Sequence, residues 1–263
     1  DPPPHSYSDV FEAGRDFPVN VVSFDLLDSY ASDMLSQAEN QGIVLESTPG
    51  NREGYHITLN PDDTLDIRIV DDVTGDCWTN ETYGIANEFN YLMGTTTPPN
   101  GVIFVKDNVW VDGHIDGNRV TILAFDEPLT GSVSDIYVNN NLTYTHYDGT
   151  DAIGLIAQRN FSVGLYSEEN LQIDAAIIAK EGRIGRNYYW DTDGWGCSEE
   201  YCSRDSITIN GALATRGRYG FAYTDGTGYD IRNLNYDNHL TYQPPPHYPT
   251  TGEYTFISWE ENE

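Results

Sequence analysis

The stretch GVIFVKDNVWVDGHIDGNRVTILA, residues 101–124, decides how this chain is read. Val102 and Phe104, then Val109 and Val111, then Val120, Ile122 and Ala124 alternate with other residues, so each set falls on one side of an extended backbone. Gly, Asp and Asn separate the three runs, as tight turns separate short strands. The last run has later echoes. DAIGLIAQRNFSVG (151–164) and IDAAIIAKEGRIGR (173–186) each hold an aliphatic-x-Ala core, a polar turn and another strand, and ITINGALATRGRYG (207–220) is a looser copy. Ala157 and Ala179 are 22 residues apart, whereas Ala124–Ala157 spans 33 and Ala179–Ala214 spans 35. Polar inserts at 126–150 and 187–205 fill the longer gaps. Short strands repeating every ~20–25 residues are the pattern of a β-solenoid, in which each unit buries its apolar face only against its neighbours. The expected fold class is therefore mainly β: a short parallel β-helix over residues 99–220, preceded by a small helix-plus-β-meander segment.

Outward from that core, residues 1–22 read as an extended, Pro-led N-terminal arm. Within 23–98, SFDLLDSYASDMLSQAENQ (23–41) predicts a helix. Ser23 is placed to cap it, Phe24, Leu27, Ala31 and Leu35 share one face, and Gly42 ends it. Strands at Tyr55–Leu59 and Leu65–Val70 flank the turn Asn60-Pro61-Asp62-Asp63-Thr64 and predict a meander. Pro98-Pro99 marks the expected boundary before the β-helix. Residues 221–263, rich in Tyr and Pro, are expected to fold back as a C-terminal cap.

Charge narrows the function classes. The chain has 263 residues with 42 Asp and Glu against 13 Lys and Arg, a formal net charge of −29, and Lys106 and Lys180 are its only lysines. Such a surface repels nucleic acid and anionic lipid, and it favours multivalent cations. The 19 Tyr argue for a folded chain rather than a disordered one. No apolar run approaches the ~20 residues of a membrane-spanning helix, and no signal peptide stands at Asp1-Pro2-Pro3-Pro4. A start left by processing has this appearance.

Cysteines, acids and aromatics carry the candidate chemistry. Cys197 and Cys202 lie five apart in a loop-like insert, and a disulfide between them is expected in an oxidising compartment, leaving Cys77 over. Asp191-Thr192-Asp193-Gly194 opens like a calcium loop, with Glu199 near enough in sequence to add a ligand. The twelfth position of a full loop is Cys202 rather than an acid, so calcium competes with a plain acidic turn. Tyr189, Trp190, Trp195 and Tyr201 cluster in the same insert, as a docking or sugar-stacking patch would, or as the insert's own small core. Asp112, Asp116 and Arg119 are the best candidates for a polysaccharide-cleaving centre, but Asp112-Gly113 and Asp116-Gly117 read more simply as turns. No nucleophile elbow, phosphate loop, dinucleotide fingerprint or paired-histidine metal motif occurs.

Beginning with the strand set GVIFVKDNVWVDGHIDGNRVTI, the chain carries a resemblance over roughly residues 20–263. ALATRGRYGFAYTDGTGYDIRNLNYDNHLTYQPPPHYPTTGEYTFISWEE, most of all Gly217–Gly228 and Tyr242–Glu260, together with GLIAQRN and IDAAIIAKEGRIGR upstream, resembles poorly characterised surface proteins of ultrasmall, host-attached bacteria. These are labelled PilX-like or type IV pilus-associated. Members typically begin with a hydrophobic pilin-like helix, which this sequence does not show. The resemblance implies an extracellular, cell-surface, fimbrium-like role in adhesion, without enzymatic activity and with no catalytic residues to carry over. The expected partners are further copies of the chain in a head-to-tail filament, pilus components, or a host-surface glycan or protein. Polysaccharide cleavage and calcium-dependent glycan binding are the alternatives.

Overall fold

A computed structural model describes residues 24, 26–75, 77, 80–127, 133–190 and 197–250. The expected arm at 1–22, the end of the expected cap at 251–263, and Asp191, Asp193 and Trp195 lie outside these described residues.

Along the chain come helix α1 (Leu26–Gln41) and strands β1 (Ile43–Leu45), β2 (Gly54–Leu59), β3 (Thr64–Val73), β4 (Ile85–Thr96), β5 (Val102–Val105), β6 (Val109–Ile115) and β7 (Arg119–Ala124). There follow β8 (Ile136–Tyr137), β9 (Leu142–Tyr144), β10 (Ala152–Ala157), β11 (Phe161–Val163), β12 (Asn170–Ala179) and β13 (Ile184–Arg186). A four-residue helix α2 (Glu199–Cys202) precedes β14 (Ser203–Thr215) and β15 (Gly228–Tyr236), and a single 3₁₀ turn spans Asn238–Thr241. The chain is thus mainly β, with a large and mostly parallel sheet and a small N-terminal helix.

Register shows why the echoes in the sequence exist. Ile43 pairs with Ile103, Ile103 with Ile122, Ile122 with Leu155, Leu155 with Ile177 and Ile177 with Leu213, all between parallel strands. A second column runs Tyr55, Val109, Ile136, Phe161, Ile184. A third runs Leu59, Gly113, Leu142, Ile173, Ile209, Leu234. Most of these side chains meet in one buried cluster. Truncating one fully buried member, such as Ile122, to Ala is expected to cost about 3 kcal/mol, since rigid neighbours on both sides cannot close the gap.

Details differ from the sequence reading. Val102 and Phe104 do not share the main core with Val109 and Val111. They point to the other side, where Leu27, Ala31, Met34 and Ala38 of α1 cover them together with Leu123 and Phe125. Both faces of β5 and most of β7 are therefore buried, as parallel strands covered on both sides usually are. The Ala ladder holds at Ala124, Ala157 and Ala179, but Ala179 then faces Thr215, and Ala214 faces Ile178. The stretch 126–150 is no mere insert, because β8 and β9 lie in it and pair with β6. Its short runs, Ile136-Tyr137 and Leu142-Thr143-Tyr144, are too brief to show a period in sequence. At the expected boundary, β1 and β2 from before Pro98-Pro99 pair in register with β5 and β6 from after it.

The last described residues run back along the first column. Arg119 donates to Gly149 O, Gln243 O and Pro244 O, Thr121 donates to Pro246 O, and Tyr30 of α1 donates to His247 O. Gly101 and Gly154 make room there, since a Cβ on either would meet Pro246 or the Tyr248 ring.

Candidate functional site

Most buried acids in this very acidic chain are engaged in holding the backbone. Asp151 accepts from the N–H groups of Gly117, Asn118, Thr145 and His146 at 2.6–3.0 Å. Asp174 accepts from Tyr144 N–H, Tyr147 OH, Gln172 and Asn210. Asp135 takes a two-pronged contact from Arg159 and the N–H of Asn160. Each carboxylate has its lone pairs matched by donors, which is what makes burial of the charge tolerable.

One group differs because it lines a cleft. His56 points outward from β2, with Nδ1 2.7 Å from Glu88 of β4 and Nε2 2.9 Å from Asp112 of β6. Asn140 also donates to Asp112, at 2.8 Å. Burial disfavours the imidazolium, but hydrogen bonds to Asp112 and Glu88 outweigh it and raise the His56 pKa to about 9. Burial likewise pushes the Asp112 carboxyl up, and His56, Asn140 and Thr58 together bring it below the usual range. The cleft, about 500 Å³, is also lined by Asn87, Asn139, Trp110 and Tyr166. In sequence His56 is a lone histidine, and its partners lie 32 and 56 residues away. Only the cross-strand register brings them together, so no spacing signal pointed to them.

The predicted site residues are placed as follows. Asp112 lines this cleft, Asp116 pairs with His146 at 2.8 Å on the surface, and Arg119 holds the tail, so the three do not form one centre. Gly117 takes positive φ in a bend, the turn geometry read from the sequence, whereas Asp112-Gly113 lies within β6, where Gly113 at positive φ pairs with Leu59 and Leu142 instead of turning the chain. Glu199 is exposed in the first turn of α2. Among the described residues no group of three His, Cys, Asp or Glu is arranged to hold a metal ion. Of the aromatic cluster, Tyr189 is buried, donating its OH to Glu81 O with the Arg186 guanidinium over its ring. It is core, not patch. Trp190 is half-buried and stacks on the exposed Tyr188 at 5.0 Å, and Tyr201 packs edge-on against Tyr166. The disulfide is also placed differently from the expectation. Cys197 is joined to Cys77, 120 residues away, and Cys202 lies buried beside them with its Sγ donating to Ser198 O. Five-residue spacing could not reveal this, because the partner arrives through the fold.

Among the remaining exposed features are two long sheet edges. β4 pairs only with β3, and β15 only with β14, among the described residues. Both carry large apolar side chains in the open: Phe89, Tyr91 (51% exposed), Leu92 and Met93 on β4, and Ile231 (57%), Leu234 and Tyr236 (61%) on β15. Beside β15 lies a cavity of about 1200 Å³, with Arg183, Arg218 and Arg232 in its lining. These arginines stand out in a chain so acidic. Seven of the 13 Lys and Arg fall between Lys180 and Arg232, while the first hundred residues hold only Arg15, Arg52 and Arg68.

In comparisons with protein-family models, curated proteins and solved structures, nothing matches this chain.

Proposed function

We propose that this is an extracellular, non-enzymatic surface protein that assembles with copies of itself, as a filament subunit or adhesin, on a short parallel β-helix. The helix reading is supported by three in-register columns that the chain revisits in turn. The observation that carries the function is a pair of long strand edges, β4 and most of β15, that no other strand among the described residues covers and that expose apolar side chains. Sheet edges of this kind template the addition of another strand, and soluble monomers usually cover or charge them. The Cys77–Cys197 bridge agrees with an oxidising compartment. Electron microscopy of the purified chain, with calcium and with chelator, tests the reading. Filaments or ordered oligomers are expected, and a monodisperse monomer at all concentrations would overturn it.

A second reading rests on the cleft at His56. Two carboxylates in a polar, aromatic-lined groove are the materials of a polysaccharide-acting or glycan-binding site. A glycan panel assayed for binding and for new reducing ends, with Glu88→Gln beside the wild type, separates this reading from assembly alone.

A further inference from the structure

We infer that the contact between copies is a parallel pairing of β15 of one molecule with β4 of the next, in one polarity only. This rests on the assembly reading above and specifies its partner and geometry.

Strand direction is the first argument. β3 is antiparallel to β2, and β4 is antiparallel to β3, so β4 runs the same way as β2. β2 is parallel to β6, and the direction is kept through β9, β12, β14 and β15. The two free edges thus belong to one continuous sheet and run in the same direction. A copy moved along the stacking direction, without turning over, brings its β4 alongside β15 as one more parallel strand. The two edges are of similar length, 12 and nine residues.

Side-chain chemistry is the second argument. On β15, Leu234 and Arg232 sit in register with the core residues Ile209 and Ile207, so they project from the end of the buried column. On β4, Leu92 and Phe89 sit opposite the core residues Ile67 and Ile69 and project from the other end. Joining the edges sets Leu234 and the aliphatic stem of Arg232 against the apolar β4 edge and continues the column. Charge sets the polarity. The β15 end presents Arg218 and Arg232, and the β4 end presents Asp62, Asp63 and Asp66 around the β2–β3 turn. Two β4 ends would repel each other, whereas at the β15 end Arg218 and Arg232 offset Asp225 and Asp230, so β15 against β4 is the less repulsive pairing. Such a contact joins unlike surfaces and does not close on itself, so it gives a filament rather than a dimer.

The test uses the full chain in two variants that each add one cysteine to Cys77, Cys197 and Cys202, Tyr91→Cys and Asn235→Cys, mixed under mild oxidation and read on non-reducing gels. Cross-linking between the two variants, at least tenfold above either variant alone, is the expected result. Cross-linking within one variant would show a two-fold contact and overturn the inference. Filaments by microscopy without the mixed cross-link would overturn this interface while leaving assembly standing. Absence of any oligomer would overturn both. A monomer in which Asn235→Cys cross-links internally to Phe256→Cys would give the edge to the chain's own C-terminal segment and also overturn it. Leu234→Asp, checked for an unchanged thermal unfolding profile, is expected to raise the concentration needed for assembly at least tenfold.

Discussion

His56 Nε2 lies 2.9 Å from Asp112 Oδ2, and the other ring nitrogen is held by Glu88, so one imidazolium ties three strands together. Its pKa is raised to about 9 in the folded chain, against about 6.5 when unfolded. A raised pKa gives stability that is complete below the unfolded value and is lost as pH rises through the folded one. Stability is therefore expected to fall between about pH 6.5 and 9 by up to about 3 kcal/mol from this group. Asp112, whose pKa is lowered, contributes with the opposite sense: its share is present above the unfolded carboxylate value and is lost in acid as pH falls through the lowered one. Thermal melts across pH 5–9.5 check this, and in His56→Gln the alkaline slope should flatten.

The tail depends on Arg119. Its guanidinium reaches Gly149 O on one side and Gln243 O and Pro244 O on the other. Arg119→Ala leaves those carbonyls without their donor and should cost about 2 kcal/mol. Local opening should exceed global loss. Hydrogen exchange and limited proteolysis are expected to show residues 237–250 released while the columns stay protected.

Gly113 fixes a close strand approach. It sits at φ +103°, and a Cβ there would come within 2.1 Å of Leu59 O on the paired strand. Gly113→Ala combines backbone strain with a clash against the main chain and is expected to destabilise by at least 2 kcal/mol. Asp112→Asn, one residue away on the same strand, should retain the strand pairing and lose only the charge contact with His56. Comparing the two by denaturant unfolding separates geometry from electrostatics.

How much of this was legible can be traced residue by residue. The strands of 101–124 and their later copies showed because period-two patterning and Gly-Asp turns are local signals. The helix, expected over 23–41 and found at Leu26–Gln41, showed through the helical spacing of Leu27, Ala31 and Leu35, while its expected cap Ser23 lies outside the described residues. Side assignment failed at Val102 and Phe104, because a strand buried on both faces has no polar side to orient it. β8 and β9 were hidden by brevity. His56, Glu88 and Asp112 were invisible as a group, since they meet through parallel pairing of β2 with β6 and antiparallel pairing of β2, β3 and β4, and not through sequence spacing. The edges of β4 and β15 were equally hidden, because an unpaired strand reads in sequence like a paired one.

Sequence proximity favours Cys197 with Cys202, whereas the fold joins Cys197 to Cys77. The two pairings differ sharply in what they constrain. A bridge closing 120 residues ties the segment after β3 to the segment before α2, and it restricts the unfolded chain far more than a five-residue loop does. Cys77→Ser should therefore cost about 3–4 kcal/mol and lower the melting temperature by roughly 10 °C, whereas Cys202→Ser should cost about 1 kcal/mol, the loss of a small buried side chain. Peptide mapping without reduction should find residues 77 and 197 in one linked pair, and Cys202 should take up an alkylating reagent only after unfolding. A 197–202 linkage, or equal effects of the two substitutions, would return the pairing to the one suggested by spacing alone.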